Sequence, residues 1–373
     1  MTHDKLLNEL WAITLSRLGG AAAISALARQ TKAFVRPREV KSAVDLLRII
    51  LAYCLGGMGL RSTSAWAASV GLADLSNVAL LGRLRNSTGW MEQLVGVLLA
   101  GQSGKIGPAS HGRTVRLLDA TTIPKAGRDH RCSGQLWRVH AAFDLPTERF
   151  SFFELTDEKD AERFDRVPLV PGEIRIGDRG YCKPERLASV CAAGADIIVR
   201  AGWKMARWLD ENGKPLDLIA LLKASVESDH IDQPIKLWRH KRAVPLLLRL
   251  VAIRKPKDEA EKTQAKVRRE AAKVHDKLAD ETLVAAEWVL LLTSLPDDTF
   301  SAAEVAELYR TRWRIELAFK RLKSVIGLAG PPGEDPQVAK TWILAHLLMI
   351  LLLEPHTAVV EASPRSGQLR LAA

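Results

Sequence analysis

One stretch near the end of the chain, residues 301–326, combines dense charge with an uninterrupted helical pattern. It contains neither glycine nor proline, so no residue in it breaks a helix. Ser301 followed by Glu304 fits a capping box, and Phe300 with Val305 fits a hydrophobic staple. At about 100° per residue, five apolar side chains fall in one arc that we expect to face the core: Leu308, Ile315, Phe319, Leu322 and Ile326. The rest of the chain must therefore supply a core for one face of a long helix.

Four polar residues lie beside that apolar arc: Tyr309, Arg312, Glu316 and Lys323. A glutamate next to a core stripe is costly to bury unless an opposite charge meets it. Arg312 is one turn before Glu316, and the two can form a surface ion pair. Alternatively, Glu316 is a carboxylate delivered to a divalent metal, with the neighbouring cations placed for a polyanion. The helix alone leaves both interpretations open.

The spacing Tyr-x2-Arg-x3-Glu-x6-Lys favours the second interpretation. At these positions Tyr309, Arg312, Glu316 and Lys323 resemble the signature of the IS4-like family of bacterial DDE transposases. The resemblance is specific because four residue types occur at three fixed spacings. It covers most of the chain, from about residue 40 to residue 353.

The composition favours a nucleic-acid partner. The formal net charge is +11 and the pI is about 9.6, which indicates a polyanion, with nucleic acid ahead of a membrane surface. The basic residues are spread along the chain, and a length of 373 residues suggests two or three domains. The pI alone does not exclude a basic cytosolic protein that binds no DNA.

The cysteines and apolar runs favour a soluble intracellular protein without a membrane partner. Four cysteines form no CxxC motif and have no zinc-finger histidine spacing, so we expect free thiols: Cys54, Cys132, Cys182 and Cys191. The first residues have no signal-peptide pattern. The most apolar run, Trp342 to Leu353, contains His346 and is shorter than the roughly 20 residues that span a bilayer.

Residues 1–110 are predicted to form an all-α N-terminal region. Helical periodicity runs through residues 6–18, 40–55, 62–70 and 75–84, and residues 101–113 are rich in glycine and serine, as in a linker. The short pair around Gly71 resembles a helix-turn-helix with Arg83 and Arg85 in reach of phosphate, although such pairs more commonly serve packing alone. The region also resembles the part of IS4-like transposases that binds transposon ends.

Residues 111–201 carry the pattern of an α/β fold. An apolar run from residue 114 ends at Asp119, residues 137–145 and 149–155 predict an antiparallel pair, and a strand at 173–177 ends at Asp178. We expect the charged residues 158–166 to be helical, then a helix at 184–193 and a strand at 196–200. Strand, hairpin, helix, strand, helix, strand is the order of an RNase H-like core.

Residues 202–296 are predicted to form a mainly β insertion domain that interrupts this core. Strand patterns at 236–240, 245–253 and 288–293 surround a highly charged, helix-like run at 258–283. IS4-like transposases carry an insertion at this place. Residues 297–355 then complete the core with the catalytic helix and an apolar helix at 337–353. Residues 356–373 form a C-terminal tail, which we expect to be disordered from residue 362.

Asp119, Asp178 and Glu316 are the candidate catalytic and metal-binding residues. The two aspartates follow apolar strands, where open α/β sheets place their ligand-binding groups. Three converging carboxylates repel each other unless a cation neutralises them, and Mg²⁺ prefers oxygen ligands. Aspartates at strand ends more commonly cap the next turn. However, Gly-Asp-Arg-Gly-Tyr around Asp178 closely resembles the second-acid motif of the family.

The resemblance implies an enzyme that binds the terminal inverted repeats of an insertion sequence, hydrolyses the DNA ends and joins the 3′-hydroxyl to target DNA. The three acids would hold two Mg²⁺ ions, for which Mn²⁺ substitutes. Helix residues would bind phosphates near the cut: Tyr309, Arg312, Lys323 and, unless it is only solvated, Lys320. Two synapsed ends imply a dimer on DNA in the bacterial cytoplasm, at the nucleoid.

Two further points stay open on the sequence alone. Some family members stack a flipped base on a tryptophan, and Trp288 lies at about that position, although a tryptophan in a strand is more commonly core. Trp203, Trp208 and Trp238 are weaker candidates. The rival functions are a catalytically inactive, domesticated DNA-binding protein and an RNase H-like nuclease without strand transfer. The intact acids argue against the first, and the N-terminal region and the insertion argue against the second.

Overall fold

The computed structural model describes residues 3–102, 110–125, 136–157, 159–225, 227–240, 242–273 and 278–361. Within these residues the chain forms a mixed α/β structure around one nine-stranded sheet. Cys132, most of the expected linker and the end of the expected C-terminal tail lie outside the described residues.

Six helices precede the sheet, in agreement with the all-α region predicted there. They are α1 (His3–Arg17), α2 (Gly20–Gln30), α3 (Ala43–Leu55), α4 (Leu60–Ser69), α5 (Asn77–Arg85) and α6 (Thr88–Gln102). The side chain of Ser42 caps α3, that of Ser76 caps α5, and Gly71 adopts a φ of 69° between α4 and α5. The predicted short helix pair is therefore present.

The N-terminal helices share a hydrophobic core with the end of the chain. Helix α13 (Pro336–Glu361) packs against α6, α3 and α5. The Arg17 guanidinium donates to the carbonyl oxygens of Leu351 and Leu352, and Trp90 Nε1 donates to Ile24 O at 3.2 Å. Residues 336–354 of α13 are long and apolar enough to cross a membrane by composition, but 67% of that window is buried inside the protein. The apolarity of α13 is thus accounted for by its packing.

The first five strands follow the predicted order. They are β1 (Val115–Pro124), β2 (Leu136–Asp144), β3 (Arg149–Asp157), β4 (Ile174–Gly177) and β5 (Asp196–Arg200), with α7 (Pro184–Ala192) between the last two. Strand β2 is antiparallel to both β1 and β3, and its pairing with β3 confirms the predicted hairpin. Strand β4 is parallel to both β1 and β5. Their spatial order is β3-β2-β1-β4-β5.

The helix predicted over residues 158–166 is wrong. Among the described residues 159–166, only the 3₁₀ turn Phe164–Arg166 is helical. Phe164 and Val167 are buried, so the segment lies against the core. Arg166 turns back to form ion pairs with Glu154 and Asp160, so its side chain is held against β3 and this segment.

The segment after β5 adds four strands to the same sheet. These are β6 (Trp208–Leu209), β7 (His230–Leu237), β8 (Leu246–Arg254) and β9 (Trp288–Thr293), and they continue the order as β5-β9-β8-β7-β6 with antiparallel pairing throughout. Three helices accompany them: α8 (Leu218–Ala224), α9 (Lys257–Lys273) and α10 (Asp280–Ala286). The charged run predicted at 258–283 thus corresponds to α9 and the start of α10. The strand predicted at 236–240 is wrong over most of its length, because β7 pairs with β8 over residues 230–237 and ends there.

The long helix predicted over residues 301–326 is broken in its middle. It consists of α11 (Ala302–Arg310) and α12 (Trp313–Ser324), with Thr311 and Arg312 in a turn between them. The Thr311 hydroxyl donates to Leu308 O at 2.6 Å, and the Arg312 amide donates to Tyr309 O, three residues back, at 3.0 Å. These bonds tighten the turn, and the contacts of Arg312 described below account for its position.

The ends and the apolar face of this helix pair match the prediction. The capping box of Ser301 and Glu304 is present, and Phe300 and Val305 are both buried. Four predicted core residues are buried and the last is partly buried: Leu308, Ile315, Phe319, Leu322 and Ile326. The core-facing arc is therefore confirmed.

Candidate active site

Asp119 lies within β1 and not at its end, because β1 continues to Pro124 through its pairing with β2. The parallel pairing with β4 stops earlier, at Leu117 opposite Ile176. Two residues beyond that pair come Asp119 on β1 and Asp178 after β4. Adjacent strands lie about 4.8 Å apart. The register therefore brings the first two predicted acids side by side, where the parallel ladder opens.

Burial dominates the electrostatics of Asp119, whose side chain is 15% exposed. Oδ1 accepts the Ala120 amide at 2.8 Å, and Oδ2 lies 3.6 Å from Arg312 Nη1. The pKa of Asp119 is raised to about 7, mainly by burial. The charges of Asp178 and Glu162 also raise it, and the Ala120 amide and Arg312 oppose the increase. Because the charged form of this carboxylate is disfavoured, a cation that approaches it would stabilise that form.

Asp178 combines a capping role with its position beside Asp119. It precedes the 3₁₀ turn Arg179–Tyr181, and its Oδ1 accepts the Gly180 amide at 2.8 Å. The capping role that strand-end aspartates commonly have is thus real here. The bond fixes the side-chain orientation of Asp178 and occupies one of its two carboxylate oxygens.

Glu162 is an acid of this site that sequence reasoning missed. A Cβ on Gly180 would lie 1.9 Å from Glu162 Oε2 and 3.1 Å from Asp178 Oδ1, so only glycine leaves room for both carboxylates there. Burial raises the pKa of Glu162, and the charge of Asp178 raises it further. Within the charged run 158–166, Glu162 has no distinguishing pattern. In the sequence, the second glycine of Gly-Asp-Arg-Gly-Tyr, Gly180, was the available sign that another side chain lies close to Asp178.

Glu316 does not reach the two aspartates in this structure. It lies on α12 with 52% of its side chain exposed and pairs with Arg312 Nη2. Among the residues the structure describes, no group of three His, Cys, Asp or Glu side chains is close enough to hold one ion. The predicted convergence of all three acids is therefore not present in this conformation.

Arg312 connects the first and third acids. Its Nη1 faces Asp119 and its Nη2 binds Glu316, so one guanidinium lies between the two carboxylates. Burial alone lowers the pKa of Arg312, but Tyr309, Glu316 and Asp119 together raise it. The helical ion pair of Arg312 and Glu316 is confirmed, and it coexists with the contact to Asp119.

The other predicted phosphate-binding residues line the same end of the sheet. The Tyr309 hydroxyl hydrogen bonds with Arg312, and burial raises its pKa. Lys323 Nζ donates to Thr122 O on β1 at 3.2 Å, and partial burial lowers its pKa. Lys320 is exposed on the same helix. Tyr309 and Arg312 thus lie together near the aspartates, with Lys323 further along β1.

A basic cavity of about 300 Å³ opens beside Tyr309 and Arg312, and its lining includes three residues that sequence reasoning missed: Arg200, Lys255 and Trp313. Burial, together with the charges of Arg200 and Arg179, lowers the pKa of Lys255 to about 8. Arg200 Nε is buried without a hydrogen-bond partner. Trp313 is 56% exposed. Cations from three separate segments meet here, which no local sequence pattern could indicate.

The remaining predicted DNA-binding residues lie apart from the aspartates. Trp288 is only 3% exposed at the start of β9 and packs in the core, so, in contrast to the stacking prediction, an unpaired base has no access to its ring. Arg83 lies over the ring of Phe34 at 5.7 Å. Arg85 Nε pairs with Asp335 Oδ2 at 2.6 Å and remains half exposed.

The carboxylates around Asp119 are of the type that a divalent metal binds, although among the described residues no three of them are close enough in this conformation to hold one ion. Asp119, Asp178 and Glu162 offer hard oxygen atoms, the type that Mg²⁺ and Mn²⁺ prefer. Burial is the main cause of the raised pKa values of Asp119 and Glu162, and the neighbouring Asp178 charge adds to both. The Arg312 guanidinium already places a positive charge beside Asp119, and a bound metal ion would also offset the negative charge there.

Comparisons with known proteins show the family of the chain. Residues 110–352 match the family model described as "Transposase DDE domain". The chain is 39% identical over 357 residues to the putative transposase InsL for insertion sequence element IS186A of Escherichia coli (strain K12), covering 95% of this chain and 94% of that relative. It is equally similar, 39% over 358 residues and with the same coverage, to the transposase for insertion sequence element IS421 of Escherichia coli.

A more distant relative extends the comparison to another genus. The transposase for insertion sequence element IS231F of Bacillus thuringiensis subsp. israelensis is 22% identical over 246 residues, which cover 59% of this chain and 51% of that relative. The family match spans well over half of the chain and includes Asp119, Asp178 and Glu316. The chain therefore belongs to the DDE transposases of bacterial insertion sequences, and the resemblance to the IS4-like family is confirmed.

Proposed function

We propose that the chain binds the terminal inverted repeats of an insertion sequence, cleaves the DNA at the ends and joins the 3′-hydroxyl to target DNA. Asp119, Asp178 and Glu316 would be its catalytic, metal-binding residues. The observation that carries the proposal is the Arg312 guanidinium, which contacts Asp119 and Glu316 at once. A single positive group thus already lies between acids that are far apart in sequence.

The fold supports an RNase H-like catalytic core. Strands β3-β2-β1-β4-β5 have three antiparallel members followed by two that run parallel to β1, and the helix pair α11–α12 completes them after the inserted strands. On this basis residues 111–201 and 297–355 form the core, residues 202–296 the insertion, and residues 1–110 the end-binding region. The C-terminal tail would be residues 356–373, of which residues 356–361 continue α13.

Glu316 would reach the aspartates through a shift of α12 about Thr311 and Arg312. The amides of Arg312, Arg314 and Ile315 donate to carbonyls three residues back, so this turn is wound differently from the helices on either side. Release of Arg312 from Glu316 would free both the carboxylate and the guanidinium. A DNA phosphate is the natural new partner for the guanidinium, since arginine binds phosphate in a bidentate manner.

Divalent metal, as two Mg²⁺ ions with Mn²⁺ as substitute, would activate the attacking oxygen and stabilise the leaving one when bound. Asp119 and Asp178 would hold it from the sheet, and Glu316 from α12. Tyr309 and Arg312 would orient the phosphate at the cut, with Lys323 and Lys320 further along the helix. The cavity at Arg200 lies beside them. Exposed Arg85 and its neighbour Arg83 would contribute to end recognition.

A strand-transfer assay with labelled end duplex, target DNA and Mg²⁺ tests this function. We expect cleavage at the 3′ end followed by joining, and both steps should fail without divalent metal. Cleavage without joining would instead support a nuclease. Binding without cleavage would support a domesticated DNA-binding protein. Synapsis of two ends predicts that the active species on DNA is a dimer, which mass photometry of the complex can check.

A further inference from the structure

A cluster of cations and tryptophans lies on the segment between β5 and β8 and has no part in the site described above. We call it the Trp–cation surface: Trp203, Lys204, Arg207, Trp238, Arg239 and Arg242. Lys204 Nζ lies 4.7 Å from the ring centre of Trp203, and the Arg207 guanidinium lies 4.8 Å from that of Trp238. Two basic side chains are thus held against aromatic faces.

Backbone pairing holds the two halves of this surface together. Strand β6 pairs with β7 through Trp208 and Leu237, and the Trp238 amide donates to Arg207 O at 3.0 Å. Trp208 Nε1 in turn donates to Trp203 O at 2.8 Å. The backbone at Arg207 and Trp238 is therefore held by the edge of the sheet.

A double contact ties the surface to the helix that follows Asp178. Arg239 Nη2 lies 2.7 Å from Glu185 Oε2, and the His240 amide donates to Glu185 Oε1 at 3.0 Å. Glu185 is in the first turn of α7, which begins six residues after Asp178. The β7–β8 connection is thus attached beside the element that carries the second acid.

The surface has an unbalanced positive charge. The segments 203–207 and 238–245 contain no acidic residue, and Glu185 is taken up by Arg239. Lys204, Arg207 and Arg242 are exposed, and Val244 at the tip of the connection is 80% exposed. Asp210, at the far end of β6, accepts the Asn212 and Lys214 amides within its own turn. Three exposed cations therefore face solvent together.

We propose that the Trp–cation surface binds the phosphate backbone of duplex DNA next to the segment held at the active site. Duplex DNA fits because it presents phosphates at regular spacing, and an arginine stacked on an indole loses little side-chain freedom when it binds one. The attachment to Glu185 links this contact to the first turn of α7, which begins six residues after Asp178. The inference rests on the proposed function, since it assumes that DNA is the substrate.

The test measures DNA binding by the full chain without divalent metal, so that catalysis does not enter. One variant combines Lys204→Gln, Arg207→Gln and Arg242→Gln. A matched control removes the same charge from the exposed face of α9 with Lys266→Gln, Arg268→Gln and Arg269→Gln. Fluorescence anisotropy with an end duplex is recorded at several salt concentrations, and far-ultraviolet circular dichroism checks that each variant is folded.

We expect the slope of log K against log salt to become shallower by about 2.7 in the first variant, because each phosphate contact contributes about 0.9. At 0.1 M salt, each lost contact removes a factor of about 8, so affinity falls by up to about 500-fold. The control should keep the original slope. An unchanged slope in the first variant, or an equal loss in both, overturns the proposal.

A second measurement does not depend on the triple variant folding. Val244→Cys, labelled with a photoreactive azide, replaces a side chain that is 80% exposed. It should cross-link to the end duplex upon illumination, whereas a cysteine at Lys266, labelled in the same way, should not. Absence of the Val244 cross-link overturns the proposal even if strand transfer succeeds. Failure of strand transfer with a positive cross-link counts only against the proposed catalysis.

Discussion

Replacement of the buried acid Asp119 by asparagine should stabilise the metal-free protein at alkaline pH. Burial raises the pKa of Asp119 from 3.8 to about 7. A raised native pKa means that folding favours the protonated form, so stability is highest below pH 3.8 and falls as the pH rises through 7. This difference in pKa corresponds to a loss of about 4 kcal/mol in the free energy of unfolding above pH 7. Asp119→Asn removes that cost, and the loss of the Arg312 contact reduces the gain somewhat.

Urea unfolding of the two proteins between pH 5 and pH 8, in the presence of a chelator, measures this effect. The stability advantage of Asp119→Asn should grow by about 2 to 3 kcal/mol across that range, since most of the titration lies there. Asp335 supplies a control of opposite sign. The Val338 amide and Arg85 lower its pKa, so Asp335→Asn should destabilise the protein at neutral pH.

Divalent metal should reverse the order of stability of the unaltered protein and Asp119→Asn. Mn²⁺ at saturating concentration stabilises a protein that binds it in the native state, so it should raise the unfolding free energy of the unaltered protein more than that of Asp119→Asn. An advantage of Asp119→Asn that does not vary with pH, or a destabilised variant at pH 8, would refute the reasoning, because neither result is compatible with a buried carboxylate that titrates near 7.

Three further predictions follow from the placement of single side chains. Glu316→Gln should abolish cleavage and leave end binding intact in a mobility-shift assay; loss of binding in proportion to activity would indicate a structural role. Arg312→Ala should weaken DNA binding and make the slope of log K against log salt shallower by about 0.9; unchanged affinity at every salt concentration counts against it. Trp288→Ala should cost about 3 to 5 kcal/mol in urea unfolding, as expected for a core indole, and a neutral effect on stability would contradict its burial.

Local signals in the sequence predicted the helix that carries Glu316 but not its break. The capping box and the apolar arc depend on neighbours within one or two turns, and both are present. The turn at Thr311 and Arg312 places Arg312 against Asp119, which is almost two hundred positions earlier in the chain. A sequence pattern within the helix cannot indicate a contact with a residue so far away in the chain.

The candidate site was predictable where residue order carried the information. The sequence indicates Asp119 and Asp178 because each is an acid that follows an apolar strand pattern. It indicates the Tyr-Arg-Glu-Lys set because four residue types occur at fixed spacings. It does not indicate Glu162, because this residue lies among other charges, and its importance depends on the space that Gly180 leaves. The pairing of β5 with β9 joins residues about a hundred positions apart, so the extension of the sheet was equally out of reach of a local pattern.

The central claim is that Asp119, Asp178 and Glu316 share divalent cations once DNA is bound. A crystal structure of the protein with end duplex and Mn²⁺, with the ions located by anomalous scattering, measures this directly. We expect the ions to be bound by all three carboxylates, with Arg312 moved from Glu316 to a DNA phosphate. Ions held by Asp119, Asp178 and Glu162 while Glu316 stays paired with Arg312 would contradict the account.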